Sequence, residues 1–333
     1  VGSGITLSKD GDGFFTGIVT ATSFSGSGAN LTGIDSGLSS DSDGNTIGGT
    51  NAGDSITTGQ NNTTIGKDAG TAITTGSSNV ALGSLALDAV TTANNCTAIG
   101  ADALTTNTAS GNTAVGNEAL KLNTTGSGNI AVGKNALLSN TTGNYNVSVG
   151  QNSLDANTTA SSNTAIGHEA LTANTTGTLN TAVGGDALKD NVTGGQNAAF
   201  GYKALENQTT NNNTAFGAYA ASLTTTGGDN VAVGQAALYT NTTGANNTAI
   251  GLKALYLATT ASDNTAVGYN ALYANTTGNY NTAVGYDSLK ANTTGYANAA
   301  FGRGVLDASI TGNYNTGLGY NALGSNTTGH NNT

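Results

Sequence analysis

Large apolar residues fall at two fixed distances from a recurring glycine. Immediately before it stand Ile65, Leu82, Ile99, Val115, Val132, Val149, Ile166, Val183, Phe200, Phe216, Val233, Ile250, Val267, Val284, Phe301 and Leu318. Four residues after it stand Leu87, Leu104, Leu120, Leu137, Leu154, Leu171, Leu188, Leu205, Leu238, Leu255, Leu272, Leu289, Leu306 and Leu323, with Ala221 as the exception. A small residue precedes each large one, as Ala114, Ala131 and Ser148 do in the first column and Ala119, Ala136 and Ser153 in the second. Neighbours along a strand point to opposite faces. The alternation therefore predicts two short strands per repeat. The large columns, Val267, Leu272, Val284 and Leu289 among them, are expected to form the core, with the alanines turned away toward the backbone of another chain.

The glycines set the period. From Gly66 and Gly83 to Gly302 and Gly319 the spacing is 17 residues, shortened to 16 from Gly100 to Gly116 and from Gly201 to Gly217. Both shortened copies lose their residue after the Leu, within 105–111 and 206–212, so the Asn-to-Leu half is the frame and Asn-Thr-Thr-Gly the adjustable turn. Self-similarity at a fixed period is the mark of a repeat architecture. The expectation is an all-β chain: a parallel β-solenoid or β-roll of 17-residue repeats over 45–333, preceded by a β connector or cap over 1–44. Successive turns pairing about 4.8 Å apart would build a rod on the order of 80 Å long. An Asn column, including Asn79, Asn112, Asn129, Asn146, Asn163 and Asn180, is spaced to stack amides rung by rung.

Magnitudes argue for company. Burying one Val and one Leu contributes roughly 1.5–3 kcal/mol each, while ordering each residue of a repeat costs about 1 kcal/mol or more. Rung hydrogen bonds recover part of the difference, and side-by-side association is the further source. A parallel homotrimer is predicted.

Composition removes several alternatives. A Gly and a Thr-Thr-Gly in every period leave no helical run longer than about ten residues. Low-complexity linkers do not hold large apolar residues in register, so disorder is disfavoured. The formal charge is -10 with only 9 Lys and Arg, which argues against nucleic-acid binding. No apolar stretch approaches the roughly 18 residues that cross a bilayer, and membrane insertion is not expected. The single cysteine, Cys96, permits no internal disulfide. Starting at Val1 and stopping within a repeat at Thr333, the chain reads as a piece of something longer.

Candidate chemistry is sparse. His168 and His330 lie in variable loop positions without a Ser or Cys partner at a recognisable spacing, and no catalytic residues are assigned. Cys96 takes a place in the Asn column with no basic neighbour to activate it. Asp10-Gly11-Asp12-Gly13 and Asp41-Ser42-Asp43-Gly44-Asn45 have the alternating carboxylates of a calcium loop but lack its bidentate Glu. They read first as turn formers; calcium is the alternative, and no other metal or cofactor is expected. Asn-Thr-Thr, at Asn62, Asn140, Asn157, Asn174, Asn241, Asn275, Asn292 and Asn326, meets the N-glycosylation pattern, which would matter only in a secretory product. Tyrosines crowd the chain after position 200, and Tyr269, Tyr273, Tyr286 and Tyr320 are candidates to stack on sugar rings or simply to reinforce neighbouring rungs.

The motif Asn-Thr-Ala-Val-Gly followed by Ala-Leu, as in 264–272, resembles the head repeats of YadA-like trimeric autotransporter adhesins, which implies a left-handed homotrimeric rod. Those repeats are usually shorter, near 14 residues, so the Asn-Thr-Thr-Gly turn is an addition. The longer form looks like repeats in tail-fibre proteins of marine bacteriophages, and the opening 14–34, beginning Phe14-Phe15-Thr16-Gly17-Ile18, is similar to modules in cyanophage structural proteins. The resemblance implies a non-enzymatic, extracellular structural and adhesive fibre, the shaft of a trimeric tail fibre on a virion, whose tip meets a host-surface glycan or protein. The alternatives are a cell-surface trimeric adhesin or extracellular fibril, and an ice-binding solenoid with ranked threonines.

Overall fold

The computed structural model describes residues 38–333. The connector expected over 1–44, and the Asp10–Asp12 pair within it, lie largely outside the described residues. At the start of the described part, β1 (Ser39–Ser40) pairs antiparallel with β2 (Thr46–Gly48). From there every repeat contributes one three-residue strand, from β3 (Thr63–Ile65) to β18 (Thr316–Leu318). Each of these strands pairs in parallel with the next, as Ala131 does with Ser148 and Ala182 with Ala199. The result is a parallel β-solenoid with no helix among the described residues. The two shortened repeats keep this register: Ala98 still faces Ala114, and Ala199 faces Ala215.

The expected second strand is absent. The Ala-Leu half of each coil is a turn in which residues two and four places after the Gly adopt the left-handed conformation. Asn135 and Leu137 do so at φ 57° and 55°, and Glu118 and Leu120 at 60° and 51°. This costs about 1–2 kcal/mol at each of the two non-glycine residues, a strain that burying one Leu, at roughly 1.5–3 kcal/mol, offsets only in part, and the turn's hydrogen bonds to both neighbouring coils offset the rest. Alternating handedness also sends successive N–H groups along the rod in opposite directions. Asn135 N–H donates to Asn117 O in the preceding coil (3.1 Å), and Leu137 N–H to Ser153 O in the following one (3.0 Å). The turn is thus bonded from coil to coil like a sheet, without extended dihedrals.

The core differs from the expected one by a reversal of face. In each strand the middle residue points inward: Ala114, Ala131 and Ala165 are wholly buried. The interior holds these alanines, the Ala and Leu of the turn such as Ala136 and Leu137, and the asparagines. Leu272 and Leu289 are buried as expected. Val267 and Val284 are not core: they are half-buried on the outer face, with the rest of their column. A 17-residue coil is narrow, and one Leu per rung fills it, so only alanine fits on the opposing wall. What lies close against the alanines is therefore the chain's own coil, and no second chain is needed to explain their size.

Two asparagine columns complete the interior. In the first, which enters each strand, Asn146 Oδ1 accepts the backbone N–H of Asn163 (3.0 Å), while Asn146 Nδ2 donates to Ala160 O (2.9 Å) and Asn129 Oδ1 (3.2 Å). The pattern repeats at Asn163 and Asn180. In the second, which closes the turn, Asn157 Nδ2 donates to Asn140 Oδ1 (2.8 Å) and Asn174 Nδ2 to Asn157 Oδ1 (3.1 Å). Outside them, Thr124 and Thr141 each donate their hydroxyl to the carbonyl one coil on, at 2.9 and 3.0 Å.

The invariant glycine has a steric cause. Gly133 sits at φ 136°, and a Cβ there would stand 2.6 Å from the carbonyl oxygen of Gly150 in the next coil. Any side chain at this position would force the rungs apart.

Candidate functional site

Since the alanines face inward, the outward residues of each strand are the first and third. They form two columns on one face: threonine in most rungs, as in Thr97, Thr113, Thr164 and Thr181, with Ile130, Val147 and Ala198 among the exceptions, and a large apolar residue, as in Ile99, Val115, Ile166 and Val183. Parallel in-register pairing places like on like, at Val132 beside Val149 and Phe200 beside Phe216. The phenylalanine rings stack with centroids 5.1 Å apart. Solvent reaches a large part of this column: Leu82 is 41% exposed, Ile166 40% and Phe216 57%. Ile250, Phe301 and Leu318 are exposed as well and the rest of the column is partly exposed, an apolar stripe of the kind that marks an interaction surface.

Eight of the tyrosines lie on the Ala-Leu turn, and most of these stack along the rod. Tyr239, Tyr256 and Tyr273 form a continuous ladder with centroids 5.3 and 5.2 Å apart and planes within 11° and 3°. Tyr269 and Tyr286 stack at 5.0 Å, and the Arg303 guanidinium lies 5.4 Å from the Tyr286 ring and 5.6 Å from that of Tyr320. Of the four candidates, Tyr269, Tyr286 and Tyr320 share one column with Arg303, while Tyr273 belongs to the other ladder. Tyr219, Tyr239, Tyr256 and Lys253, not singled out from sequence, line a cavity of about 340 Å³ with Gln235 and Ala236. The sequence carried a signal for it: Ala236 interrupts a column of larger side chains, between Tyr219 and Lys253.

Charged groups on the turn pair with one another. His168, Glu169 and Asp186 converge closely enough to hold a cation, and the cation there is Lys189, 2.5 Å from Glu169 and 3.4 Å from Asp186. That ammonium holds the Glu169 carboxyl below its usual range, chiefly by hydrogen bonding, and the carboxylate in turn raises Lys189. Lys121 and Glu118 make an equivalent pair at 2.7 Å. His330 accepts the N–H of Asn313 at Nδ1 (3.0 Å) and serves a turn. His168 and His330 lie in different coils and come nowhere together.

The remaining sequence candidates are structural in their surroundings. Cys96 is buried in the first Asn column, where its N–H donates to Asn79 Oδ1 (3.0 Å), and burial pushes its thiol pKa up. Both oxygens of Asp41 are engaged in the turn leading to β2: Oδ1 accepts the N–H of Asp43 and of Asn45, and Oδ2 accepts Asn45 Nδ2 (2.8 Å). These bonds, the Asn45 amide first, hold its carboxyl below the usual range. The Asn-Thr-Thr acceptors point inward in every copy but the last, where Asn326 is half-buried. Asn140, Asn157 and Asn174 are wholly buried with their Nδ2 groups bonded, so the folded rod has no room for a glycan on them. No protein-family model, no curated protein and no solved structure matches the chain.

Proposed function

We propose that these coils are the shaft of a structural and adhesive fibre: three parallel copies joined along the Thr-x-Val face, forming a phage tail fibre that presents a host-contacting tip. The observation that supports this reading is the apolar column on the outer sheet face. It runs without a break from Ile65 to Leu318, one large apolar residue at the end of every strand in that run, and a contiguous apolar stripe is the mark of a surface that partners cover. Burial of Leu82, Ile166, Phe216, Ile250 and Phe301, which are exposed in the single chain, together with the partly exposed residues between them, supplies stabilisation that a single thin coil lacks. The role is mechanical. Coil-to-coil hydrogen bonding leaves few amides free, and a rod so bonded resists bending and proteolysis. A virion location and a host-surface partner belong to the same proposal.

Light scattering tests it. The expected mass is three times the 32.5 kDa chain. Replacing Ile166 and Phe216 by Asp should release single chains, because a charge buried in an apolar seam is costly. A wild-type chain that stays monomeric at every concentration contradicts the proposal.

One observation favours a second reading, an ice-binding solenoid. Threonines do lie outward on strands in short ranks, Thr97 with Thr113 and Thr164 with Thr181, parted by Ile130 and Val147, beside the apolar column. The same face cannot both join copies and meet ice. Thermal hysteresis in a monomeric sample would support this reading at the expense of the fibre.

A further inference from the structure

Two places after each glycine, the turn carries a left-handed residue whose side chain is at least partly exposed in most coils, Asn270 being buried. Over successive coils these are Glu169, Asp186, Lys203, Tyr219, Ala236, Lys253, Asn270 and Asp287. Ala236 leaves a gap in that column, and the gap is the cavity of about 340 Å³ described above. A volume of this order accommodates one sugar ring. Its walls differ in chemistry. On one side the tyrosine stack ends: Tyr239 is parallel to Tyr256, but Tyr219 stands at 75° to Tyr239 with centroids 6.3 Å apart. Across the gap is the exposed Lys253, its Nζ 5.5 Å from the Tyr256 ring centre. Gln235, also exposed, adds an amide at the mouth.

Lys253 differs from the other lysines of this region. Lys189, Lys203 and Lys290 each have a carboxylate within salt-bridge distance. Among the described residues Lys253 has none, although the chain as a whole carries a charge of -10. An uncompensated ammonium beside tyrosine rings, with an amide at the edge, matches a ligand that is apolar on one face, hydroxylated at its rim and negatively charged at one point. An acidic pyranose has those three properties.

We propose that the notch over Ala236 binds one acidic sugar unit of a polysaccharide, a hexuronate. Its C–H face packs on Tyr239 and Tyr219, its carboxylate pairs with Lys253 Nζ, and its hydroxyls exchange hydrogen bonds with Gln235 and the tyrosine hydroxyls. This deepens the adhesive part of the fibre reading and rests on it only for where such a sugar would be met. Since one small site offers few contacts, its Kd is expected on the order of 1 mM. A fibre with several copies would bind a polymer more tightly through multivalency.

The test uses the full chain and two probes, methyl β-glucuronide and methyl β-glucoside, in saturation-transfer NMR. Transfer to the glucuronide ring protons is expected, with the glucoside about tenfold weaker. Ala236→Tyr fills the gap with the residue that the preceding coil carries in the same left-handed position. It should remove the glucuronide signal while leaving circular dichroism unchanged. Lys253→Gln should bring the two sugars to equal affinity. Absence of transfer from the wild-type chain overturns the site, as does glucuronide binding that survives Ala236→Tyr. A glucuronide preference that survives Lys253→Gln overturns the assigned charge contact. None of these outcomes bears on the mass of the assembly, so the fibre reading is judged separately by light scattering.

Discussion

The two interior asparagine columns look alike in sequence and behave differently. In the column that enters the strands, every Oδ1 from Asn129 to Asn163 accepts a backbone N–H of the next coil, while the Nδ2 of the same residue donates to a turn carbonyl. In the column that closes the turn, the amides hold one another and a carbonyl three residues on, as Asn157 does with Asn140 and Ala160, and hold no N–H of the next coil. The first column departs from asparagine only at Cys96 between Asn45 and Asn332. The second accepts Gln208, Thr224, Ala258 and Ser309. Where it does so the amide before the break is orphaned: Oδ1 of Asn191, Asn241 and Asn292 has no partner. A side chain that satisfies backbone cannot be exchanged without leaving a buried N–H bare, whereas one that satisfies other side chains can.

That difference should be measurable. Asn146→Ala removes the acceptor of the Asn163 N–H inside the rod, and a loss of about 3 kcal/mol is expected from an unsatisfied buried group plus the missing packing. The equivalent change in the other column, Asn157→Ala, should cost about half as much, since it bares no backbone N–H and its one backbone partner, Ala160 O, keeps the bond from Asn146 Nδ2. Urea denaturation of the two variants compares them, with hydrogen exchange at Asn163 as a local check. Equal losses would erase the distinction. In the opposite direction, Ala258→Asn should stabilise by about 1 kcal/mol, because its amide can donate to the orphaned Asn241 Oδ1 and accept from Asn275. Cys96→Asn should do likewise by offering Asn112 the oxygen that sulfur lacks. A lower melting temperature in either variant would mean that the breaks are adapted to their local coil and are not gaps in a ladder.

The smallest expected effect is that of pH. Glu118 and Glu169 have carboxyls held below their usual range by Lys121 and Lys189. A lowered folded-state value gives stability that is complete above the unfolded glutamate value of about 4.3 and is lost as pH falls through the folded one. The lysines, raised by the same partners, contribute below about pH 10.4 and lose that contribution above it. Asp155 runs the other way, since burial raises it, so its part improves on acidification. Surface pairs of this kind are weak, and melting should change little between pH 5 and 9. A steep change inside that window would point to a titrating group in the rod that these pairs do not account for.

Much of this was legible before any coordinates. The Gly-to-Gly period, the parallel stacking and the amide ladder at Asn129, Asn146 and Asn163 follow from copies in register, because like side chains must then lie over like. Two things were not legible, for physical reasons. Alternation in Thr-Ala-Val says that Thr and Val share a face and Ala takes the other, but it is silent on which face is interior. Coil width decides that, and at 17 residues with one Leu per rung the space left is alanine-sized. Nor does Ala-Leu announce a left-handed leucine, since propensity disfavours that conformation and only the bonding to both neighbouring coils makes it worthwhile. The candidate site divides in the same way. Tyr269 and Tyr286 could be seen as a column from their spacing, but the notch between Tyr219 and Lys253 exists only because neighbouring coils bring Ala236, Tyr239 and Tyr256 around one gap.

The stacking itself is tested most directly by distances between nitroxide labels on exposed turn positions, read by pulsed electron resonance in samples diluted with unlabelled chain. Thr142, Thr159, Thr176 and Thr193, and then Thr226, Thr243, Thr260, Thr277 and Thr294, occupy equivalent places in successive coils, the one shortened coil between Thr193 and Thr226 lacking that residue. At about 4.8 Å per coil, labels at Thr142 and Thr243 should lie roughly 29 Å apart and those at Thr142 and Thr294 roughly 43 Å apart. Distances that grow in proportion to the number of coils, across the shortened repeat at 201–217 included, are the predicted result. Distances that fail to increase from the first pair to the second would contradict a single in-register stack.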